Sequence, residues 1–204
     1  MPNVSLCAQE NEVHYNPLPY QGFCKLTLND GSVVELEGSG ELTSTMTSEY
    51  KSTVINAEIG TLCTSIGNSA FEWWGSVLSS VTIPDSVTSI GHNAFSHCTN
   101  LPNITIPNSV ISIDYYAFVD CSGLTSVAMG SGVTSISNYA FESCSGLTSI
   151  VSLATTAPTI QNDTFKNVKT NGTLTVPSGS SGYDVWMGTG DYYLGKYGWT
   201  KVEQ

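Results

Sequence analysis

Apolar residues recur along this chain at a fixed interval, and that interval dictates the architecture. Three blocks opening at Leu78, Leu101 and Leu124 align without gaps at a period of 23: LSSVTIPDSVTSIGHNAFSHCTN, LPNITIPNSVISIDYYAFVDCSG and LTSVAMGSGVTSISNYAFESCSG. Leu147 opens a fourth block, in which Ile160 and Phe165 fall one place late. Upstream, Ile66, Ala70 and Phe71 stand 24 residues before Ile90, Ala94 and Phe95, so Val54 to Val77 is an irregular first unit. A unit of this size cannot bury its own apolar face, so units stack on one another. The pattern predicts a repeat solenoid of five coils, the first and last of them irregular.

Each block also predicts the shape of its coil. Val81 and Ile83 alternate with Thr82 at strand period, so Ser80 and Thr82 face outward while their neighbours face in. Pro84 ends that strand. Val87 to Ile90 reads as a second short strand, and the stretch up to the Ala94-Phe95 pair reads as one helical or 3-10 turn that brings the chain back. Equivalent coils spaced at roughly 4.8 Å place Phe95 over Phe118 over Phe141, and Cys98 over Cys121 over Cys144.

A solenoid needs covered ends. Residues 1–50 are expected to form an N-terminal cap: Leu26 and Leu28 alternate with polar neighbours, the chain turns at Asp30-Gly31, and Val34 and Leu36 return, which is a β-hairpin signature. The following Gly/Ser/Thr-rich stretch links the hairpin to a solenoid over residues 51–170. Residues 171–204 are expected to be a C-terminal cap, with Trp186, Tyr192, Tyr193, Tyr197 and Trp199 folded over the last coil. Trp73 and Trp74 are expected to fill the joint between the first coil and the N-terminal cap.

The period of 23, the Ile-Pro step, the Ala-Phe pair and the following Cys occur together in Leu78 to Gly146, and this combination resembles the BspA-like leucine-rich repeats of bacterial surface proteins. The repeats cover residues 54–165, and the closing GTLTVPSGSSGYDVW stretch is similar to the end segment of such proteins. Departures are Met129-Gly130 in place of the Ile-Pro step, Gly60 in place of the Pro of the first unit, and Trp74 in place of its Cys. The resemblance implies a right-handed leucine-rich-repeat coil rich in short parallel strands. It also implies a non-enzymatic protein that binds something, in adhesion to host proteins or to other cells.

Charge narrows the partner. The 204 residues carry a formal charge of −11 from 6 basic and 17 acidic residues, and every basic residue is a lysine. Nucleic acid is therefore not an expected partner, since phosphate binding rests on Lys/Arg stripes and Arg forks. From Ser52 to Phe165 there is no Lys or Arg, while Glu58, Glu72, Asp85, Asp114, Asp120, Glu142 and Asp163 fall in that span. Such a surface steers a basic partner, or keeps the protein soluble and unassociated. No run approaches the roughly 18 apolar residues of a membrane span, and the first residues lack the features of a secretory leader.

Chemistry-bearing motifs are sparse. There is no GxSxG, Walker-type loop, HExxH or CxxC. The stacked cysteines should behave as small buried hydrophobes, Cys63 as a core residue, and Cys7 and Cys24 either form a staple in an oxidising compartment or remain free. No cofactor, metal or catalytic residue is expected. Binding is expected on the outward strand positions Ser80, Thr82, Asn103, Thr105, Ser126 and Ser149, or on a ridge bearing His92, Tyr115, Tyr116 and Tyr139 that otherwise shields the coil corners. The partner would be a host or bacterial surface protein or a glycan, and the location extracellular or at the cell surface. A bacteriophage virion or receptor-binding component is the alternative.

Overall fold

The computed structural model describes residues 18–75, 77–190 and 192–204. The chain forms a β-solenoid of about seven turns with two strand-bearing sides and a third side built of turns. The first side consists of β4 (Val54–Ile59), β6 (Ser80–Thr82), β8 (Asn103–Ile106), β10 (Ser126–Met129), β12 (Ser149–Ser152), β14 (Thr173–Val176) and β15 (Thr200–Glu203), stacked in that order. The second consists of β3 (Gly40–Leu42), β5 (Cys63–Ile66), β7 (Ser89–Ile90), β9 (Ser112–Ile113), β11 (Ser135–Ile136) and β13 (Thr159–Ile160). Registers follow the repeat: Ser126 pairs with Asn103 and Ser149, and Ile113 with Ile90 and Ile136.

The array is longer than the five coils expected. β14 pairs in parallel with β12, and β15 with β14, so the ladder continues past residue 170. Leu174 lies opposite Ile150, and Val176-Pro177 takes the Ile-Pro step of a further coil. At the other end, the stretch expected to be a linker supplies β3, which lies parallel to β5, and the short helix α1 (Ser44–Thr47). The hairpin forms as expected: β1 (Cys24–Leu28) pairs with β2 (Val33–Leu36), with Gly31 at φ +85 and Asp30 Oδ1 accepting from the Ser32 amide. β1 also pairs antiparallel with β4, covering that edge of the first side.

One break in the first side has a visible cause. The amides of Ser79, Thr125 and Thr148 donate to the carbonyls of Ile55, Pro102 and Thr125 one coil back, at 2.9, 2.8 and 3.0 Å. The equivalent residue between β6 and β8 is Pro102, which has no N–H to give, and the two strands lie side by side without a ladder.

Inside, Phe71, Phe95, Phe118, Phe141 and Phe165 form one column, with ring centroids 5.1, 5.2, 5.2 and 5.8 Å apart and planes within 11° of parallel. Trp74 closes the column edge-on against Phe71 at 5.0 Å, and Trp186 closes it against Phe165 at 5.1 Å. Trp74 is thus the filler expected. Trp73 is not: it is exposed on the turn side and lies flat on His97 at 3.5 Å. The odd neighbour faces outward because the turn alternates its side chains between core and solvent. In the C-terminal segment Trp186 and Trp199 are buried and Tyr192, Tyr193 and Tyr197 partly so.

The turn side is neither a helical nor a 3-10 turn. In every coil the residues two before and two after the column phenylalanine adopt positive φ: Ser69 and Trp73, Asn93 and His97, Tyr116 and Asp120, Tyr139 and Ser143, Asp163 and Asn167. Left-handed conformations at bulky residues are uncommon and costly. Here they orient alternate amides along the solenoid axis. Asn93, Phe95 and His97 donate to the carbonyls of Tyr115, Ala117 and Val119 in the next coil at 3.0, 2.8 and 2.8 Å.

Candidate binding surfaces

The strand residues singled out from the sequence do come together. Asn103, Ser126 and Ser149 occupy one row across β8, β10 and β12, and Thr105 heads the row continued by Ala128 and Val151. Ser80 and Thr82 precede them on β6. All six side chains are exposed or partly exposed, because the pleat sends Ile104, Ile106, Val127, Met129 and Ile150 into the core.

The ridge residues lie on the turn side, away from those rows. Tyr116 and Tyr139 stack at 4.8 Å with planes 2° apart, and His92 meets Tyr116 edge-on at 5.6 Å. Stacking between coils occupies the faces of these rings and presents their edges. Tyr139 also donates to Asp163, and that carboxylate bond holds the phenol above its ordinary pKa. Tyr115 stands apart from the stack and is 46% exposed.

The cysteine column has a role beyond filling. The thiols of Cys98, Cys121 and Cys144 donate to the carbonyls of Phe71, Phe95 and Phe118 in the preceding coil, at 3.2, 3.1 and 3.1 Å. Burial pushes the Cys121 thiol up to about 12 and raises its two neighbours well above the usual range. Cys63 and Cys24 are likewise buried and free, raised by burial to about 11 and about 12. The pairing weighed for Cys24 involves Cys7, which lies outside the described residues.

The acids of the coils divide into two sets. Lys25 pairs with Glu58, and Lys166 lies 3.4 Å from Glu142 and 3.9 Å from Asp163, so lysines near the ends neutralise the outer coils. Elsewhere, Glu72 accepts from Asn93 at 3.1 Å and Asp120 faces His97 at 3.7 Å. Asp85 has neither an ion-pair nor a hydrogen-bond partner among the described residues. Among those residues no group of three His, Cys, Asp or Glu side chains could hold a metal ion, and no helix is long and apolar enough to cross a membrane.

One surface was not anticipated. Where the first-side strands turn at the Ile-Pro step, a groove of about 330 Å³ crosses four coils, with Asp85, Thr105, Pro107, Ala128, Val151 and Leu153 among its walls. Its signal in the sequence was the departure Met129-Gly130, read only as a deviation from the repeat, beside the small outward residue Ala128.

Parallel strands stacked at a fixed register, each coil resting on the next through a phenylalanine and a thiol, define a leucine-rich-repeat solenoid. The chain belongs to the BspA-type family of such repeats: six copies of the BspA type leucine rich repeat region match residues 52–183. The match reaches beyond residue 165, into the coil that carries the Val176-Pro177 step. No curated protein matches the chain significantly.

Proposed function

We propose that this protein is a non-enzymatic interaction module, secreted or displayed at a bacterial surface, which attaches to a host or bacterial surface protein or glycan through the outside of its solenoid. Membership of a repeat family suited to protein interaction supports the first part of this reading. The observation that carries it is the first side itself, where exposed polar rows run from coil to coil over a core that leaves them no freedom to rearrange. A preorganised surface loses little entropy on binding. The charge of −11 favours a basic partner through steering, which salt weakens.

The test is binding of the purified chain to immobilised matrix proteins, a glycan array and intact bacteria at low and high salt. Salt-sensitive retention on a basic matrix protein is the expected result. Selective retention on bacterial polysaccharide would instead favour a phage receptor-binding component, and no retention on any of the three would overturn the module reading.

A further inference from the structure

The groove at the Ile-Pro step owes its existence to one coil. Along the outward row Thr105–Ala128–Val151, the middle residue is the smallest, so the row sinks at its centre. The next residues of that coil complete the depression. Gly130 replaces the proline of the Ile-Pro step, and its amide donates to the Ile106 carbonyl at 2.8 Å, a bond no proline can make. A Cβ on Gly130 would lie 2.5 Å from both the Asn108 nitrogen and the Pro107 carbonyl carbon. Glycine therefore lets this corner close against its neighbour, and no side chain from it covers the groove.

The groove's chemistry is asymmetric. Leu153, 53% exposed, and Val151 make one end aliphatic, while the exposed Asp85 carboxylate at the other end has no partner among the described residues. The surrounding coils contribute acids, and no Lys or Arg occurs from Ser52 to Phe165. Four coils at ~4.8 Å spacing give a run of roughly 14 Å, the length of about four extended residues at ~3.3 Å each.

From these features we infer that the groove receives an extended basic segment of a protein partner, which places aliphatic side chains against Ala128, Val151 and Leu153 and a lysine or arginine against Asp85. This rests on the interaction-module reading and gives it a location and a class of ligand. The row of small polar residues supplies hydrogen bonds beside the groove, and the groove supplies the apolar anchor that those residues lack.

The probe is a capped hexapeptide of alternating leucine and lysine, titrated into the 15N-labelled chain, with a leucine–glutamate peptide as its counterpart. Amide shifts are expected at residues 83, 85, 105, 106, 108, 128–130 and 151–153, with the lysine peptide binding at least ~5-fold more tightly at low salt. Ala128→Tyr should weaken binding by ~10-fold or more by filling the depression, an effect of the size that loss of a central anchor produces. Asp85→Lys should abolish the preference between the two peptides. Leu153→Lys, at an exposed position, repeats the test should the tyrosine variant fail to fold. Shifts on another side, equal binding of both peptides, insensitivity to these variants, or groove shifts on simple dilution, which mark a second copy as the occupant, would each overturn the proposal. Retention on the matrix panel by both wild type and Ala128→Tyr would overturn the groove while leaving the module reading intact. Absence of panel binding by the wild type would overturn the module reading, and the peptide titration would still decide the groove.

Discussion

Phe118 sits in the middle of the column, 5.2 Å from the rings of both Phe95 and Phe141 and fully buried. Replacing it by alanine removes the largest buried side chain of its coil and leaves a void that neighbours locked in ladder register cannot collapse into. Such substitutions cost ~3–5 kcal/mol, and the two stacking contacts, at ~0.5–1.5 kcal/mol each, put this one toward the upper end, near ~4–5 kcal/mol. Domains are stable by only ~5–15 kcal/mol, so the loss is a large share of the total. At an m-value of ~2 kcal/mol per M, the urea midpoint followed by circular dichroism should fall by about 2 M. Phe118→Leu, which keeps most of the volume, should cost under ~1.5 kcal/mol. Phe118→Asp should yield no folded chain, since a lone charge there has no partner. Thr105→Ala on the outer row is the control, expected within ~0.5 kcal/mol of wild type. A midpoint for Phe118→Ala within about 0.5 M of wild type would refute the continuous column and the coil register with it.

Two further outcomes follow from buried polar groups. The thiols of Cys24, Cys63 and Cys121 are raised in the folded state to about 12, 11 and 12 by burial. The stability tied to their protonation is complete below the unfolded thiol pKa near ~8.5 and is lost as pH rises toward the folded values, at ~1.4 kcal/mol per thiol per pH unit. Urea midpoints under reducing conditions should therefore drop steeply between about pH 9 and 11, Cys121→Ala should flatten that drop, and a midpoint independent of pH would refute the burial. Separately, the Thr47 hydroxyl on α1 donates to the buried Ala70 carbonyl. Thr47→Val, which keeps the volume, should cost ~1–3 kcal/mol and speed amide exchange first in the coil around Phe71. Exchange that rises equally across all coils would refute a local capping role.

How far the sequence carried the structure depends on whether a residue obeys the repeat. The phenylalanine and cysteine columns, the outward rows and the hairpin were legible because each follows from period and alternation alone. The coil count was not, since Trp186 closes the column where a sixth phenylalanine would stand, and the β15 strand has no repeat signature. The linker was misread because Glu41 and Leu42 pair with β5 without any period to announce it. The turn side was misread for a different reason: its paired left-handed residues include Trp73, Tyr116 and Tyr139, side chains that local preference would keep out of that conformation. Tertiary hydrogen bonds outweighed propensity. The groove is legible only in hindsight, where the small Ala128 of the outward row and the departure at Gly130 fall in the same coil.

Those hydrogen bonds give the solenoid a direction. Around the phenylalanine column the backbone bonds between coils run one way, from an amide in one coil to a carbonyl in the next: Phe71 to Ala94, Phe95 to Ala117, Phe118 to Ala140 and Phe141 to Thr164, at 2.7 to 2.9 Å. Parallel stacking of identical turns therefore leaves unpaired carbonyls at the N-terminal end and unpaired amides at the C-terminal end, and each is costly if buried. The two caps answer with opposite chemistry. At the N-terminal end the Thr47 hydroxyl donates to the Ala70 carbonyl. At the C-terminal end the Tyr197 phenolic oxygen accepts from the Asn167 amide at 2.9 Å, and the Tyr197 carbonyl accepts from Asn171 at 2.8 Å. A hydrophobic lid would satisfy neither end, and the caps cannot be exchanged. The coils between them can be added or removed at little cost to either end, because each passes the same polarity to its neighbour. Variation within the array is then free to concentrate on the outside, where Ala128, Gly130 and Leu153 have turned an ordinary corner into a groove.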